Sequence, residues 1–161
     1  MSGPIAVADA SPICYLILIG ETDLLAQLFQ QVLIPPEVRD ELLAQGAPAS
    51  VRSWAANPPA WITVSDAPSD PAPVPRLQAG ERAAIALAQA VNADVILLDE
   101  KSARRFATEK GLRVSGVLGI LADSAGLGLI DLATAFEKLA KTNFRYPPEL
   151  LKAMLERFLM P

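Results

Sequence analysis

The chain alternates short continuous apolar runs with longer stretches in which apolar positions recur every three or four residues. The runs at 5–8 (Ile-Ala-Val-Ala) and 95–98 (Val-Ile-Leu-Leu) are typical of strands buried on both faces. The spacing within 80–91 predicts an amphipathic helix. Because helical stretches separate the strands, we expect an α/β fold, a three-layer α/β/α sandwich with a central, mostly parallel sheet. The predicted strands are 4–8, 31–34, 61–64, 94–98 and 112–115.

Proline and glycine set the predicted helix ends. Ser11 before Pro12 predicts the start of the first helix, with Ser11 as N-cap, and Gly111 closes the helix at 100–110. The segment 67–76 holds four prolines and is predicted to be a loop. We expect one domain over 1–161, with a C-terminal helical extension at 131–161. The other predicted helices are 21–29, 37–45, 49–56, 80–91, 116–125, 132–141 and 148–159.

Composition narrows the chemistry that the chain can perform. It has no histidine and one cysteine, which excludes His/Cys zinc sites and nucleophile systems that need histidine. Cys14 cannot form an internal disulfide. Neither a signal-peptide pattern nor an uninterrupted apolar stretch of about 18 residues is present. We therefore expect a soluble, cytoplasmic protein with no membrane contact, whose chemistry uses oxygen ligands and a hard cation such as Mg²⁺ or Mn²⁺.

Four acidic residues occupy positions that suggest a common site. Asp9 and Asp99 each follow a strand-type apolar run, and Glu41 and Glu81 lie beside the apolar stripes of predicted helices. Because ligands bind outside the carboxyl ends of parallel strands, the two aspartates should face one crevice. The positions of the four acids therefore predict a metal site. Three of the acids also have a structural explanation: Asp9 (or Ser11 in its place) as a helix cap, Glu81 as a first-turn acid that complements the helix dipole, and Glu41 as a solvated flank residue.

Basic residues are concentrated in the second half of the chain. Residues 1–75 hold two basic side chains against eight acids, whereas 76–161 hold twelve against ten. Lys101, Arg104 and Arg105 follow Asp99 closely, and such a positive rim beside an acidic site suits a phosphate-bearing substrate. A solvated helix face would explain the same charges.

Segments in four parts of the chain resemble those of PIN-domain proteins. They are 7–12 (Val-Ala-Asp-Ala-Ser-Pro), 34–42, 80–88 (beginning Gly-Glu-Arg-Ala) and 97–100 (Leu-Leu-Asp-Glu), with Gly116 downstream. More narrowly, they resemble a PIN-like subfamily related to VapC-type toxins of toxin-antitoxin pairs. Two departures are a glutamate at the third acidic position, where many toxins have aspartate, and a longer C-terminal region.

The resemblance implies a PIN fold and a metal-dependent endoribonuclease. It implies that Asp9, Glu41, Glu81 and Asp99 are the catalytic acids, that Asp9, Glu81 and Asp99 hold Mg²⁺ or Mn²⁺, and that Ser11 lies near the metal. RNA would be the substrate, with Lys101, Arg104 or Arg105 binding its phosphate. An antitoxin protein would be a partner, because a basic side chain of that protein could enter the acidic site.

Self-association is a further expectation. The two C-terminal helices carry many apolar residues, which suit either a homodimer interface or ordinary core: Phe136, Leu139, Phe144, Leu150, Leu151, Met154, Leu155, Phe158 and Leu159.

Two alternative functions remain. A PIN-like binding or scaffold protein without catalytic activity would keep the same acids. A phosphatase of the haloacid-dehalogenase type also places an aspartate after its first strand, but it requires a second aspartate two positions on, where this chain has Ser11.

Overall fold

A computed structural model describes residues 3–68 and 76–159 of the chain. Its centre is a five-stranded sheet with the order β3-β2-β1-β4-β5, in which every neighbouring pair is parallel. Helices cover both faces, so the predicted α/β/α sandwich is confirmed. The strands are β1 (Ile5–Ala8), β2 (Gln31–Ile34), β3 (Ile62–Val64), β4 (Val95–Leu97) and β5 (Val114–Ser115).

The helices follow the predicted order with small differences at their ends. They are α1 (Ala10–Leu18), α2 (Asp23–Leu28), α3 (Pro36–Leu43), α4 (Ala49–Ala56), α5 (Ala79–Val91), α6 (Lys101–Glu109), α7 (Val117–Gly126), α8 (Leu132–Ala140) and α9 (Pro148–Leu159). Within the described ranges, no helix is long and apolar enough to cross a membrane.

The core has two parts because side chains of the buried strands alternate between the two faces of the sheet. Ala6 and Ala8 of β1 pack in a cluster with α1, α3, α4, α7 and α8. Val7 points the other way, into a cluster with α5 and α6. Phe136 and Leu139 of α8 are buried in the first cluster. Core packing therefore explains the apolar face of α8, and the homodimer stays a prediction.

The register of the sheet places two predicted site residues at one edge. Ala8 of β1 pairs with Leu97 of β4, and the backbone N–H of Asp9 donates to the carbonyl of Leu97 at 3.0 Å. Both strands therefore end at the same level, and Asp9 and Asp99 emerge side by side at the carboxyl edge.

The predicted start of the first helix is wrong by two residues. The helix begins at Ala10, so Asp9, not Ser11, occupies the N-cap position, and its side chain makes no capping hydrogen bond. Strand β1 runs into α1 without a loop. Pro12 then lies within the first turn, where a helix needs no backbone donor.

Some predictions fall on residues that are not described. Of the predicted proline-rich loop at 67–76, residues 69–75 lie outside the described residues, as do the side chains of Phe158 and Leu159.

Candidate active site

The four predicted acids come from four elements that meet at the carboxyl edge of the sheet. Asp9 and Asp99 follow β1 and β4, Glu41 lies on α3, and Glu81 lies in the first turn of α5. Asp9 and Glu81 are each only 6% exposed. A buried carboxylate without a cationic partner is costly, so two such groups in one place indicate a site with a function other than folding.

Asp9 is the centre of this acidic cluster. Its pKa is raised from 3.8 to about 7, mainly by burial, although the backbone N–H of Ala10 lowers it. Repulsion from Glu41, Glu81 and Asp99 contributes the rest of the increase. All three acids are therefore close enough to Asp9 to act on its charge, and at neutral pH Asp9 exchanges between its charged and neutral forms.

Asp99 is held by donors on both of its oxygens. Oδ1 accepts a hydrogen bond from the backbone N–H of Val117 at 2.9 Å, and Oδ2 accepts one from the Ser11 hydroxyl at 3.4 Å. Burial raises the pKa of Asp99, whereas the Val117 N–H, the Arg104 charge and the Ser11 hydroxyl lower it. Ser11 therefore contributes to the site by orienting Asp99, a role compatible with the predicted supporting residue.

Gly116 makes room for the Asp99 carboxylate. A methyl group at this position would overlap Asp99 Oδ1 and lie 2.9 Å from Nη1 of Arg104 and 3.0 Å from the Leu98 carbonyl. Backbone can come this close to a carboxylate only without a Cβ. Glycine is thus required by the position of Asp99.

Glu81 has a structural and an electrostatic role together. Its Oε1 accepts the backbone N–H of Gln78 at 2.9 Å, as part of a capping box at the start of α5. The sequence-based explanation of Glu81 as a first-turn acid is therefore correct, but it is incomplete. Burial raises the pKa of Glu81, the Gln78 N–H lowers it, and Glu100 raises it.

Glu41 reaches the cluster from the exposed rim, over Gly80. A methyl group at Gly80 would lie 2.8 Å from Oε1 of Glu41 and 3.4 Å from Oδ1 of Asp9. These two oxygens are therefore at most the sum of the two distances, 6.2 Å, apart. Partial burial and the charge of Glu81 raise the pKa of Glu41. Gly80 was not predicted as a site residue, although a glycine directly before Glu81 in a first helical turn was a possible signal.

The donors of the cluster suit a hard divalent cation. They are carboxylate and hydroxyl oxygens, the ligands that Mg²⁺ and Mn²⁺ prefer. As the side chains stand, no three Asp, Glu or Cys residues of the described ranges are close enough to hold one ion together. The resemblance implied Asp9, Glu81 and Asp99 as ligands, but the structure does not bring these three together around one ion. Mg²⁺ usually takes one or two carboxylates and keeps several waters, so an ion here would be held by fewer than three of them.

The three predicted phosphate-binding residues do not lie together. Arg104 is beside Asp99, with Nη1 donating to the Leu98 carbonyl at 2.8 Å. Lys101 and Arg105 instead line a separate depression of about 590 Å³ next to Phe106. Arg105 also forms an exposed ion pair with Glu109 at 3.5 Å. Only Arg104 of the three therefore adjoins the acids, and the role of all three in RNA binding stays a prediction.

A cavity beside Asp99 contains residues that the sequence did not single out. Its volume is about 440 Å³, and Arg145 and Tyr146 line it together with Asp99 and Arg104. Both lie in the linker between α8 and α9, which has no apolar period that would predict its position.

A family model described as a PIN domain (DUF3368) matches residues 5–159 of the chain. The chain belongs to the PIN-domain family. The match includes the C-terminal helices and confirms the family to which the four segments pointed. PIN domains are generally nucleases that use divalent metal ions, which places this PIN domain broadly among the hydrolases of nucleic acids.

A solved structure supports the fold of this PIN domain. It is a PilT N-terminus domain protein from the hyperthermophilic archaeon Sulfolobus solfataricus P2, with a TM-score of 0.54 and 20% identity. The similarity covers 74% of this chain and 92% of that chain. No curated protein matches this PIN domain.

Proposed function

We propose that this PIN domain is a metal-dependent endoribonuclease that hydrolyses phosphodiester bonds with Mg²⁺ or Mn²⁺. The observation that supports the proposal is the convergence of Glu41, Glu81 and Asp99 on Asp9, whose pKa is raised to about 7 mainly by burial and further by the charges of these three acids. Acids placed this way repel one another and gain from a divalent cation. The family and the oxygen donors of the site support the same chemistry.

The residues have different roles in this proposal. Asp9 and Asp99 hold the metal, with Ser11 orienting Asp99 through its hydrogen bond. Glu81 is a further ligand or orients the attacking water, and Glu41 acts from the rim. When bound, the divalent ion supplies positive charge at the phosphate and lowers the pKa of water. Water adds to phosphorus, the bond from phosphorus to the leaving oxygen breaks, and a proton passes from the water to the leaving oxygen.

We further propose that the protein is the toxin of a toxin-antitoxin pair and forms a homodimer. The acidic cluster supports a partner with a basic side chain, because such a side chain would neutralise Asp9 and its neighbours as a metal does. The partly buried apolar residues of α9 and the exposed Leu150, at 44%, support self-association. Sedimentation of the purified protein tests the dimer, and expression in a host cell with and without the neighbouring gene tests the toxin role.

Cleavage of RNA by the purified protein tests the central proposal. Total RNA and transfer RNA are incubated with Mg²⁺ or Mn²⁺ or with EDTA, and Asp9→Asn is compared with wild type. We expect metal-dependent cleavage that Asp9→Asn abolishes. Asp40→Asn is the matched control, since Asp40 is adjacent to Glu41 on α3 but is exposed and pairs with Arg39 at 3.1 Å. Cleavage that persists in both EDTA and Asp9→Asn would exclude the mechanism.

A second candidate function is binding of RNA or protein without catalysis. The observation that favours it is that Glu81 Oε1 and both oxygens of Asp99 already accept hydrogen bonds, two of them from the backbone. If the cluster only stabilised the fold, these hydrogen bonds would be enough to satisfy the buried oxygens. Tight RNA binding by wild type, with no cleavage in either metal, would establish this candidate instead.

A further inference from the structure

The linker between α8 and α9 folds back onto α1 beside the acidic cluster. The Tyr15 hydroxyl of α1 donates to Oδ1 of Asn143 at 2.8 Å. The ring of Phe144 meets the Tyr15 ring edge-on, with centroids 4.9 Å apart. Tyr146 then lies 5.9 Å from Phe144, centroid to centroid. A hydrogen bond and one ring contact therefore fix this linker relative to α1, and a second ring contact, within the linker, supports Tyr146.

The fixed linker forms the outer wall of the cavity beside Asp99. Asp99, Arg104 and Gly116 line the inner side, and Arg145 and Tyr146 line the outer side. The volume of about 440 Å³ falls in the range of small-molecule sites, roughly 300 to 1,000 Å³. The cavity is therefore continuous with the acidic cluster through Asp99 and large enough for a nucleotide.

The charges around the cavity suit a phosphate. Burial, Cys14 and the Asp99 charge raise the pKa of Tyr15, and the Arg145 charge lowers it, so the Arg145 and Asp99 charges both act at this place. Among the residues that the structure describes, Arg145 has no carboxylate within ion-pair distance. Arg104, on the opposite wall, is anchored to the Leu98 carbonyl. Two guanidinium groups therefore border the cavity, and no carboxylate of residues 3–68 or 76–159 pairs with Arg145 and competes with a ligand.

An aromatic ring completes the set of groups that recognise a nucleotide. Single-stranded nucleic acids are bound where cationic groups contact phosphates and bases stack on aromatic side chains. Tyr146 is half-buried, and its position is supported by Phe144. A base in the cavity would meet the Tyr146 ring while its phosphate lies near Arg145.

We propose that this cavity is a nucleotide subsite, which binds the RNA residue adjacent to the phosphate cleaved at Asp99. This assignment rests on the proposed nuclease function. It extends that function by naming the residues that hold one nucleotide of the substrate. Arg145 binds its phosphate, and Tyr146 stacks on its base. The linker beyond α8 thereby becomes part of the substrate-binding surface.

Titration of the full chain with AMP and with adenosine, in EDTA and followed by NMR, tests the subsite without catalysis. Tyr146→Ala should weaken binding of both ligands about 5- to 150-fold, since base stacking contributes about 1–3 kcal/mol. Tyr146→Phe, which keeps the ring, should bind both as wild type does. Arg145→Ala should weaken AMP binding about tenfold and leave adenosine unchanged, because only AMP carries the phosphate. The matched control is Lys152→Ala, an exposed cation of α9 outside the cavity lining.

The outcomes separate the subsite from the nuclease. AMP affinity that is the same in wild type, Tyr146→Ala and Arg145→Ala would overturn the subsite, as would inorganic phosphate binding as tightly as AMP. With RNA as substrate, AMP should inhibit cleavage competitively, and Tyr146→Ala should relieve that inhibition. RNA cleavage with no AMP binding leaves the nuclease standing and the subsite overturned. AMP binding through both residues, with no cleavage of any RNA, supports the subsite and overturns the nuclease.

Discussion

Strand β4 has an aspartate beyond each of its ends, and these two aspartates differ in exposure, in hydrogen-bond partners and in the charges around them. Asp94, at the amino edge of the sheet, is exposed, and its Oδ2 accepts the backbone N–H of Ile5 at 2.7 Å. Asp99, at the carboxyl edge, is half-buried, is held by Val117 and Ser11, and lies near the buried Asp9. The presence of an aspartate alone therefore does not identify a functional site. Burial and neighbouring charges distinguish Asp99, in the candidate site, from Asp94, which makes a structural hydrogen bond.

Cavity size does not distinguish the two edges. The amino edge has a depression of about 500 Å³ lined by Asp94, Lys110 and Arg113, and the carboxyl edge has one of about 440 Å³ lined by Asp99 and two arginines. At the amino edge one carboxylate faces two cations. At the carboxyl edge four carboxylates converge, so only this edge has an excess of negative charge that a metal ion would relieve.

The largest difference between substitutions at the two edges is expected in the rate of RNA cleavage. Asp99→Asn should lower the rate of RNA cleavage in Mg²⁺ at least about 100-fold, because it removes a charge that holds the metal against the phosphate. Asp94→Asn should leave the rate within about twofold, since surface changes away from a site have small effects. Initial rates on one labelled RNA measure both. Equal rates for Asp99→Asn and wild type would remove Asp99 from the proposed site.

The second largest effect is expected in how the free energy of unfolding depends on pH when no metal is bound. Asp9 has a pKa of about 7 in the folded chain against 3.8 as the reference, so between about pH 4 and 7 the folded state binds the additional proton. Its free energy of unfolding should therefore fall as the pH rises through this window, by about 4 kcal/mol in total, and level off above it. The raised pKa values of Glu41, Glu81 and Asp99 act in the same direction.

Urea unfolding in EDTA at a series of pH values measures this slope. Asp9→Asn should flatten it and stabilise the protein at pH 8, while removing cleavage activity. Asp94→Asn should keep the slope. Added Mg²⁺ should stabilise wild type above pH 7 and have little effect on Asp9→Asn. A stability that does not change from pH 4 to 8 would contradict the burial of Asp9 among other acids.

The sequence predicted the carboxyl edge well because its signal is local. An apolar run followed by an aspartate identifies the end of a buried strand, and parallel strands bring such ends together, as Asp9 and Asp99 show. The start of α1 was misplaced because β1 joins the helix directly, without the loop that a Ser-Pro pair usually marks. Local rules locate a residue along the chain, but they do not show how one element joins the next.

The positions of the basic residues relative to the acids were harder to predict from the sequence. Arg104 is rotated by about 100° from Arg105, but Lys101 lies within one helical turn of both, so helical geometry alone did not decide which of the three adjoins the acids. Arg145 and Tyr146 could not be predicted. Their linker is placed by contacts with Tyr15, more than a hundred residues away in sequence, and no local pattern encodes that contact.

A smaller effect is expected where the backbone approaches the carboxylate of Asp99. Gly116→Ala would force the new methyl group onto Asp99 Oδ1 and Arg104. We expect a loss of about 1–3 kcal/mol in the free energy of unfolding, as for other overpacked positions, together with reduced cleavage. Gly46→Ala is the control, since a methyl group there would meet no atom within 4 Å. Urea midpoints of the two variants make the comparison, and equal midpoints would show that Asp99 does not need this space.

The smallest expected effect belongs to the amino edge. Asp94→Ala removes the acceptor for the Ile5 N–H, a bond of 2.7 Å at an exposed position. The free energy of unfolding should fall by about 1 kcal/mol, the usual contribution of one hydrogen bond, because water can replace the lost acceptor. Cleavage activity and the slope of stability between pH 4 and 7 should both stay as in wild type. A loss of activity in Asp94→Ala without loss of stability would contradict the difference between the edges, because it would give the acid at the amino edge a part in the chemistry.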